Sequence, residues 1–233
     1  MAWDTERTKR LLLDAATEEF SRHGLAGARV DRIAAAAGVN KERIYQYFGK
    51  KDELFATVLA TRLRDLIDEV PMTGTGPEAV GDYAARLFEH HLRDETIPRL
   101  IFWEGLELGR DAVADTRKEY HADKIARFQD MLPGVDRAAA GELLLSIVSL
   151  VNAWPVIAQL DRQFVAADAD DATRADRDGG DERAARIGAR RAHLERASVA
   201  LADAALRDAA AAADAPRAAS GTGAAPHGAD SIG

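Results

Sequence analysis

The spacing of apolar residues along this chain is that of α-helices almost throughout. Leu12, Ala16 and Phe20 recur every four residues and form one apolar face of a helix that begins near Asp4 or Thr5. Strict alternation of apolar and polar residues, which is typical of strands, is nearly absent. The pattern therefore predicts an all-α fold.

Breaks between the predicted helices fall at glycine and proline residues. The first helix is predicted to end at Gly24, two short helices are separated by Gly38, and a fourth runs from about Asp52 and Glu53 to Pro71, where a linker begins. Beyond this linker the pattern predicts five further helices, at residues 77–93, 96–110, 114–131, 137–165 and 181–212.

Two segments lack this apolar periodicity. Residues 166–180 are rich in Asp and Ala and are expected to form a solvated acidic loop, whereas residues 213–233 have the composition of a disordered tail. No apolar run is judged long enough to cross a bilayer, and the first residues do not resemble a secretion signal. We therefore expect a cytoplasmic protein with no membrane partner.

Charge is unevenly distributed along the chain. The net charge is −8, yet the first 51 residues carry ten Lys and Arg against seven Asp and Glu, a net charge of +3, which leaves −11 on the other 182. A basic segment on an acidic body is typical of localised phosphate contact. The absence of cysteine excludes disulfides, thiolate metal sites and cysteine nucleophiles.

Residues 28–55 have the small and apolar positions that two helices need in order to cross at a tight turn. Ala34 permits the second helix to approach closely, and Gly38 can adopt the left-handed conformation of the turn. The spacing predicts a helix-turn-helix motif at about residues 29–48. The side chains expected to face inward are Ile33, Val39 and Ile44.

The second helix of this motif, with Asn40 as its expected N-cap, has an outer face suited to DNA. Arg43 can donate two hydrogen bonds to guanine, Gln46 can pair with purine edges, and tyrosines can contact thymine methyl groups. Two lysines just past the helix are placed for a flanking phosphate. The candidate DNA-binding residues are Lys41, Glu42, Arg43, Tyr45, Gln46, Tyr47, Lys50 and Lys51. The alternative is a helical hairpin inside a bundle, with solvated charges.

Residues 7–60 resemble the DNA-binding head of the TetR/AcrR family of regulators. The matching segments are Phe20 to Gly24, Ile33 to Val39 and Tyr45 to Lys51, which follow the patterns F-x-x-x-G, I-A-x-x-A-G-V and Y-x-x-F-x-x-K. The resemblance implies a homodimer on a palindromic double-stranded operator. The chain is accordingly divided into a DNA-binding domain at 1–51, an effector-binding and dimerisation domain at 52–212 and the tail.

Two positions depart from the family pattern. Ala28 stands where the family commonly has a Thr or Ser that caps the second helix and touches phosphate, so Arg29 is added as a candidate phosphate ligand. Glu42 and Arg43 stand where small residues and Thr are more usual, and Glu42 would be repelled by phosphate unless it accepts from cytosine or orients Arg43. The operator therefore cannot be copied from relatives.

The body of the chain is expected, from the resemblance, to sense a small molecule. Large apolar groups with a few polar neighbours suit a lipophilic or aromatic effector, although ordinary core packing explains the same residues. The candidate ligand residues are Phe88, His91, Phe102, Trp103, Leu106, Glu107, Phe128 and Trp154. No spacing typical of metal ligands or of a catalytic site is found, so no cofactor, no metal and no enzyme activity are expected.

Residues 137–165 are apolar on too many faces for a helix with one buried side, and Pro155 is expected to kink them after Trp154. Paired with the helix at 181–212, they are predicted to form a four-helix bundle across a two-fold axis. The alternative is a central helix of a monomer.

Together these features predict a sequence-specific DNA-binding regulator, a ligand-released repressor that acts as a homodimer. Two alternatives stay open at this point. One is a DNA-binding protein that needs no effector, and the other is a helical enzyme or carrier whose amino-terminal hairpin is incidental.

Overall fold

The computed structural model describes residues 2–108, 117–165 and 179–214, and these residues form ten α-helices and no strand. The all-α prediction is confirmed. The helices are α1 (Ala2–Gly27), α2 (Val30–Ala37), α3 (Glu42–Phe48), α4 (Lys51–Glu69), α5 (Pro77–Arg93), α6 (Thr96–Glu107), α7 (Lys118–Met131), α8 (Arg137–Val156), α9 (Ala158–Phe164) and α10 (Gly179–Asp214).

Helices α1 to α3 and the start of α4 form an amino-terminal head with its own apolar centre. Phe20 of α1 meets Phe55 of α4 edge-to-face, with 5.1 Å between ring centroids, and both rings are fully buried. The helix periodicity predicted this centre, because the spacing of four places its α1 residues on one face. The other fully buried members are Leu12, Ala16, Ile33, Ile44 and Leu54.

Gly24 breaks α1 before its last turn. Its φ is 68° and its ψ is −177°, a conformation that residues with a Cβ essentially do not adopt. A Cβ there would also lie 2.9 Å from the Trp103 ring and 2.5 Å from a Glu107 carboxylate oxygen, both on α6. The predicted end of the first helix at Gly24 is therefore a true backbone break. Helix α6 of the body packs directly against this break.

The body packs α5 against α8 and α10, with α7 beside α8. One face of α8 is buried, with Ile147 and Val151 fully enclosed. On its other side Leu145 and Leu150 are exposed, as is Leu201 of α10. The bundle within one chain therefore leaves apolar surface uncovered on α8 and α10.

Several predicted boundaries need correction. The single helix predicted at 137–165 is two helices, because the chain leaves helical geometry at Ile157, two residues after Pro155. The helix predicted at 96–110 ends at Glu107, and α10 extends the one predicted at 181–212 at both ends. Residues 166–178, most of the predicted acidic loop, and 215–233, most of the predicted disordered tail, lie outside the described residues.

By length and composition, α8 is apolar enough to cross a membrane, so the expectation that no such run exists is wrong on those two criteria. A core helix of a globular bundle meets the same criteria, and α8 packs against α5, α6, α7 and α10. Only 33% of its most apolar stretch is buried within the chain. The remaining apolar surface is the feature that a partner would have to cover.

Candidate nucleic-acid interface and sensor cavity

The turn between α2 and α3 has the geometry that the sequence predicted. Gly38 has a φ of 65°, and its N–H and that of Val39 donate to the carbonyls of Ala35 and Ala34. Asn40 departs from its expected role, because its side-chain oxygen lies 3.4 Å from the Glu42 N–H, beyond the usual range for a cap. Packing of buried residues behind the turn, rather than a strong cap, therefore orients α3.

The outer face of α3 carries a connected polar cluster. The Arg43 guanidinium donates to the Gln46 side-chain oxygen at 3.2 Å and to the Tyr47 hydroxyl at 3.0 Å. Arg43 and Gln46 are exposed, whereas Tyr47 is half-buried and packs against the core on the side of the fully buried Ile44. Tyr45 is 53% exposed. Both bonds come from one guanidinium nitrogen, so the other N–H groups of this exposed side chain are suited to the paired acceptors of a guanine edge.

Lys41 and Glu42 lie at the start of α3, and both are exposed. The Lys41 ammonium lies 3.3 Å from the Asp31 carboxylate of α2, and this contact raises the pKa of Lys41. The pair is largely solvated, so its net contribution to stability is small and Lys41 can exchange Asp31 for a phosphate.

Ala28 has no polar side chain with which to cap α2. The Glu19 carboxylate of α1 binds the backbone at the start of that helix instead. This carboxylate accepts from the Arg29 N–H at 2.8 Å and from Arg32 Nε at 2.8 Å. Burial alone would raise the pKa of Glu19, but the hydrogen bonds from Arg32 and Arg29 outweigh it and lower the pKa. The Arg29 residue itself is exposed beside α2 and is available to a phosphate.

The two lysines after α3 differ in their surroundings. Lys50 is exposed, and its N–H donates to Glu53 at 2.6 Å. Lys51 is partly buried, and its ammonium lies 3.2 Å from the Ala28 carbonyl, to which it donates. Lys51 therefore stabilises the connection between α1 and α2, a role that the sequence did not reveal, and Lys50 is the better placed for phosphate.

Two of the candidate ligand residues instead join the body to the head. The Trp103 indole N–H donates to the Ser21 carbonyl at 3.3 Å, and the Ala26 N–H donates to the Glu107 carboxylate at 2.7 Å. Arg99, one turn earlier on α6, donates to the same Ser21 carbonyl at 2.8 Å. Sequence reasoning missed this interface, although the spacing of four along α6 from Arg99 to Glu107 was a signal that these residues share a face.

The other six candidates do not converge on one site, although two of them are in contact. Phe88 and Trp154 form an edge-to-face pair with 6.0 Å between centroids, while Phe128 packs against Tyr83. Leu106 is 76% exposed and Phe102 is half-buried. These positions match the alternative of ordinary core and surface residues more closely than a shared pocket.

His91 is buried among polar groups. Its Nδ1 lies 3.3 Å from that of His90, whose Nε2 lies 2.7 Å from Glu69. Burial, then the charges of His90 and Lys124, lowers the pKa of His91 to about 3, so its ring is neutral at physiological pH. In the described part of the chain no group of three potential metal ligands is found.

A cavity of about 310 Å³ lies elsewhere, between α4, α6, α7 and α8. None of the eight candidate ligand residues lines it. Its walls are mostly aliphatic, with one cluster of charged and polar groups. The lining residues are Leu63, Ile101, Glu104, Arg117, Tyr120, His121, Lys124, Ile125, Gly141, Leu144, Leu145 and Val148.

The polar cluster of the cavity is dominated by positive charge. Arg117 forms a buried ion pair with Glu104, whereas Lys124 is buried and has no carboxylate partner among the described residues. Burial lowers the pKa of Lys124 to about 8. Desolvation of the His121 ring, followed by the charges of Arg117 and Lys124, lowers the pKa of His121.

Comparison with known families places both parts of the chain in one group. Residues 12–58 match the model of bacterial regulatory proteins of the tetR family, and residues 79–207 match that of the tetracyclin repressor-like C-terminal domain. The first match spans the exposed face of α3, and the second spans the cavity walls from α6 to α8.

Individual relatives agree with these matches. The HTH-type transcriptional repressor SCO4008 of Streptomyces coelicolor is 39% identical over 191 residues, which cover 80% of this chain and 97% of that one. The crystal structure of the putative transcriptional regulator SCO4942 of the same organism aligns with a TM-score of 0.57 at 31% identity, covering 82% and 96% of the two chains.

A regulator from Rhodococcus sp. Rha1 shares the fold, with a TM-score of 0.60 at 18% identity over 85% of this chain and 96% of that one. The relatives are named as regulators and repressors, not as enzymes, in agreement with the sequence expectation. Since both family models match and one relative aligns over nearly its full length, this chain belongs to the TetR family of DNA-binding transcriptional regulators.

Proposed function

We propose that the protein is a cytoplasmic repressor that binds a palindromic operator as a homodimer and leaves it when an effector occupies the body. The observation that carries the proposal is the outer face of α3. There the exposed Arg43 and Gln46 form a hydrogen-bonded cluster with the half-buried Tyr47, while Ile33 and Ile44 pack behind the helix. The effector-independent regulator and the helical enzyme or carrier are the alternatives, and neither has a specific observation in its favour.

The proposed DNA contacts divide into two kinds. Arg43 and Gln46 lie where base edges of the major groove would be met, with the two tyrosines beside them for thymine methyl groups and phosphate. Positive groups around this cluster supply contacts that do not depend on sequence. Glu42 is proposed to accept from cytosine or to orient Arg43. The proposed phosphate ligands are Arg29, Lys41 and Lys50, with Lys51 supporting the α1–α2 connection behind them.

The proposed dimer covers the apolar surface that α8 and α10 leave open. A groove of about 540 Å³ runs between these helices. Small and apolar residues, among them Ala139, Leu143, Leu201, Ala205 and Ala209, line it together with Asp136, Glu142 and Asp208. A second copy placed across a two-fold axis would lay its own α8 and α10 on this groove, because a two-fold interface joins identical surfaces. The boundaries of the DNA-binding domain at 1–51 and of the sensor domain at 52–212 are part of this proposal.

The proposed control element is α6, which lies between the cavity and the head. Ile101 and Glu104 line the cavity, while Arg99, Trp103 and Glu107 form the hydrogen bonds to the α1 backbone. An effector that displaces α6 therefore acts on the end of α1 through contacts already made. Coupling of about 1–3 kcal/mol would change operator affinity by about 5–150-fold.

The proposed function is tested by selecting bound fragments from random double-stranded DNA with the purified protein. The expected result is one enriched motif with two-fold symmetry and half-sites about one helical turn apart. The Arg43→Ala variant, carried through the same selection, is expected to lose the enrichment while still retaining DNA at low salt. Failure of the unaltered protein to enrich any motif, even at low salt, would contradict the proposal and favour a helical enzyme or carrier.

A further inference from the structure

We propose that the cavity between α4, α6, α7 and α8 binds a small amphipathic organic anion, an aromatic or aliphatic carboxylate, whose charged end lies against Lys124. The proposal rests on the proposed function, because it names the chemical class of the effector. It assigns the site to a set of residues that the sequence did not single out.

Lys124 supplies the first observation. Its side chain belongs to a residue that is only 8% exposed, and the ammonium lies 5.7 Å from the centre of the Tyr120 ring. Within the described part of the chain, no hydrogen bond or ion pair joins this ammonium to another residue. A lysine that is buried without a counter-ion is rare, because the desolvation of its charge is uncompensated. A carboxylate that enters the cavity removes that penalty.

The other charged groups of the wall do not supply the missing partner. Glu104 is already paired with Arg117, and it is the one carboxylate among the described residues that line the cavity. The described residues of the wall thus carry two positive groups, Arg117 and Lys124, and one negative group, which leaves one positive charge for the ligand to neutralise. A cationic ligand would add to this excess, and a neutral one would leave Lys124 unpaired.

Unsatisfied donors beside the lysine support the same chemistry. The Tyr120 hydroxyl and Arg117 Nε are both buried and have no hydrogen-bond partner among the described residues. Burial raises the pKa of the Tyr120 hydroxyl, so it stays protonated and able to donate. A bound anion is an acceptor that donors near Lys124 can share, after small side-chain adjustments.

The aliphatic part of the cavity wall and the cavity volume indicate the polarity and size of the rest of the ligand. Among the described residues, six aliphatic side chains from α4, α6, α7 and α8 line it: Leu63, Ile101, Ile125, Leu144, Leu145 and Val148. A volume of about 310 Å³ is at the lower end of the range for small-molecule pockets, which favours one ring system or a short chain over a long lipid. An apolar molecule with one carboxylate matches both the aliphatic part and the charged part of the cavity wall.

The test uses two sets of matched probes that differ only in charge. One set is indole-3-acetate, indole-3-acetamide and tryptamine, and the other is octanoate, octanamide and octylamine. Binding to the full-length protein is measured by calorimetry and thermal shift. In at least one set the carboxylate is expected to bind about 10–150-fold more tightly than its amide and its amine, the range of a charge-assisted hydrogen bond. Tighter binding of the amine or amide, or no binding of either carboxylate, would overturn the proposal.

Variants then locate the site. Lys124→Met is expected to remove the preference for the carboxylate and also to raise the Tm of the ligand-free protein, because an unpaired buried charge is replaced by an apolar group. Tyr120→Phe is expected to weaken the carboxylate by about 2–10-fold with the fold intact. Lys118→Met removes an exposed lysine from the same helix and is the control for affinity, so it should leave the preference for the carboxylate unchanged. Unchanged carboxylate affinity in Lys124→Met would contradict the assignment.

Operator binding separates this inference from the proposed function. If the protein enriches an operator but no carboxylate binds, only the identity of the effector is wrong. If a carboxylate binds at Lys124 but no operator is found, the anion site stands and the proposed function fails.

Discussion

The indole N–H of Trp103 donates to the carbonyl of Ser21 at 3.3 Å, across the boundary between the body and the head. Ser21 lies three residues before the break at Gly24, and the tryptophan ring covers that break. Glu107, one turn further along α6, accepts from the Ala26 N–H beyond it. Helix α6 therefore contacts α1 both before and after the break at Gly24. The same helix also lines the cavity.

Gly24→Ala is predicted to weaken the joint between head and body. The added Cβ would overlap Trp103 and Glu107, and the backbone conformation at Gly24 strongly disfavours any Cβ. Gly38→Ala is the comparison for a left-handed glycine in open space: its φ is 65° and its ψ is 30°, against −177° for the ψ of Gly24. We expect a loss of about 1–2 kcal/mol for Gly38→Ala and a larger loss for Gly24→Ala in urea unfolding. Equal losses would show that the α6 contact is unimportant.

Trp103→Phe is predicted to reduce the coupling between effector and operator. The variant keeps an aromatic ring over Gly24 but loses the N–H that bonds to Ser21. Operator affinity without effector should change little, whereas release by a bound carboxylate should fall by about 2–10-fold, as expected for one hydrogen bond. Fluorescence anisotropy with labelled operator, with and without the effector, measures both. A variant released as readily as the parent would exclude a role for this bond.

Lys50→Ala is predicted to weaken binding to all duplexes without altering sequence preference. If Lys50 contacts one phosphate in each subunit, the slope of log affinity against log salt should become shallower by about 2 for the dimer. Lys51→Ala is expected to differ, because Lys51 bonds to the Ala28 carbonyl and its loss should lower the Tm. Salt titrations of operator and scrambled duplex decide the matter, and an unchanged slope in Lys50→Ala would rule out its phosphate contact.

Acid is predicted to destabilise the protein through His91. Its pKa is about 3 in the folded protein, against about 6.5 when unfolded, so the unfolded chain binds the proton more tightly. The stability that depends on neutral His91 is complete above about pH 6.5 and is lost as the pH falls towards 3, by about 2 kcal/mol at pH 5. The groups that face the ring are His90, Asp94, Lys124 and Asn152.

Urea unfolding between pH 7 and pH 5 checks this prediction. Between pH 7 and pH 5, the free energy of unfolding of His91→Gln should fall by less than that of the parent. His193→Gln, which changes an exposed histidine on α10, should lose as much as the parent. The same dependence of unfolding free energy on pH in all three proteins would contradict the prediction for His91.

Substitution of exposed leucines on α8 and α10 is predicted to give monomers. Leu150→Glu with Leu201→Glu places charges on the surface that the proposed dimer buries, whereas Leu106→Glu changes an exposed leucine on α6. Analytical ultracentrifugation should show the double variant as a folded monomer with weakened operator binding, and Leu106→Glu as a dimer. A parent protein that is itself monomeric would refute the proposed interface.

The head could be predicted closely because its determinants are local. The spacing of Ile33, Ala34, Gly38 and Ile44 fixes both the turn and the buried side of α3, and all four occupy the expected positions. The weak cap at Asn40 and the backbone partner of Lys51 could not be predicted, because these hydrogen bonds depend on tertiary geometry. For Lys51 the bonded carbonyl is 23 residues away.

The sensor could not be predicted in the same way. The contact of Trp103 with Ser21 joins residues 82 apart, and the spacing of four along α6 shows a shared face but not which helix that face contacts. The cavity wall was missed for a different reason: Lys124 and Arg117 look like solvated surface residues in a polar helix, yet both are buried. Aromatic content was a poor guide, because Phe88, Phe128 and Trp154 pack against other rings instead of lining this cavity.

The central claim is that the exposed face of α3 recognises DNA sequence through Arg43. Its most direct test is the ratio of affinities for the selected operator and a scrambled duplex, measured by anisotropy at fixed salt for the parent and for Arg43→Ala. The account predicts that this ratio falls by about 10-fold or more in the variant, since each good base contact contributes about 1–3 kcal/mol of discrimination. A ratio that is unchanged in Arg43→Ala, with the variant folded and dimeric, would contradict it.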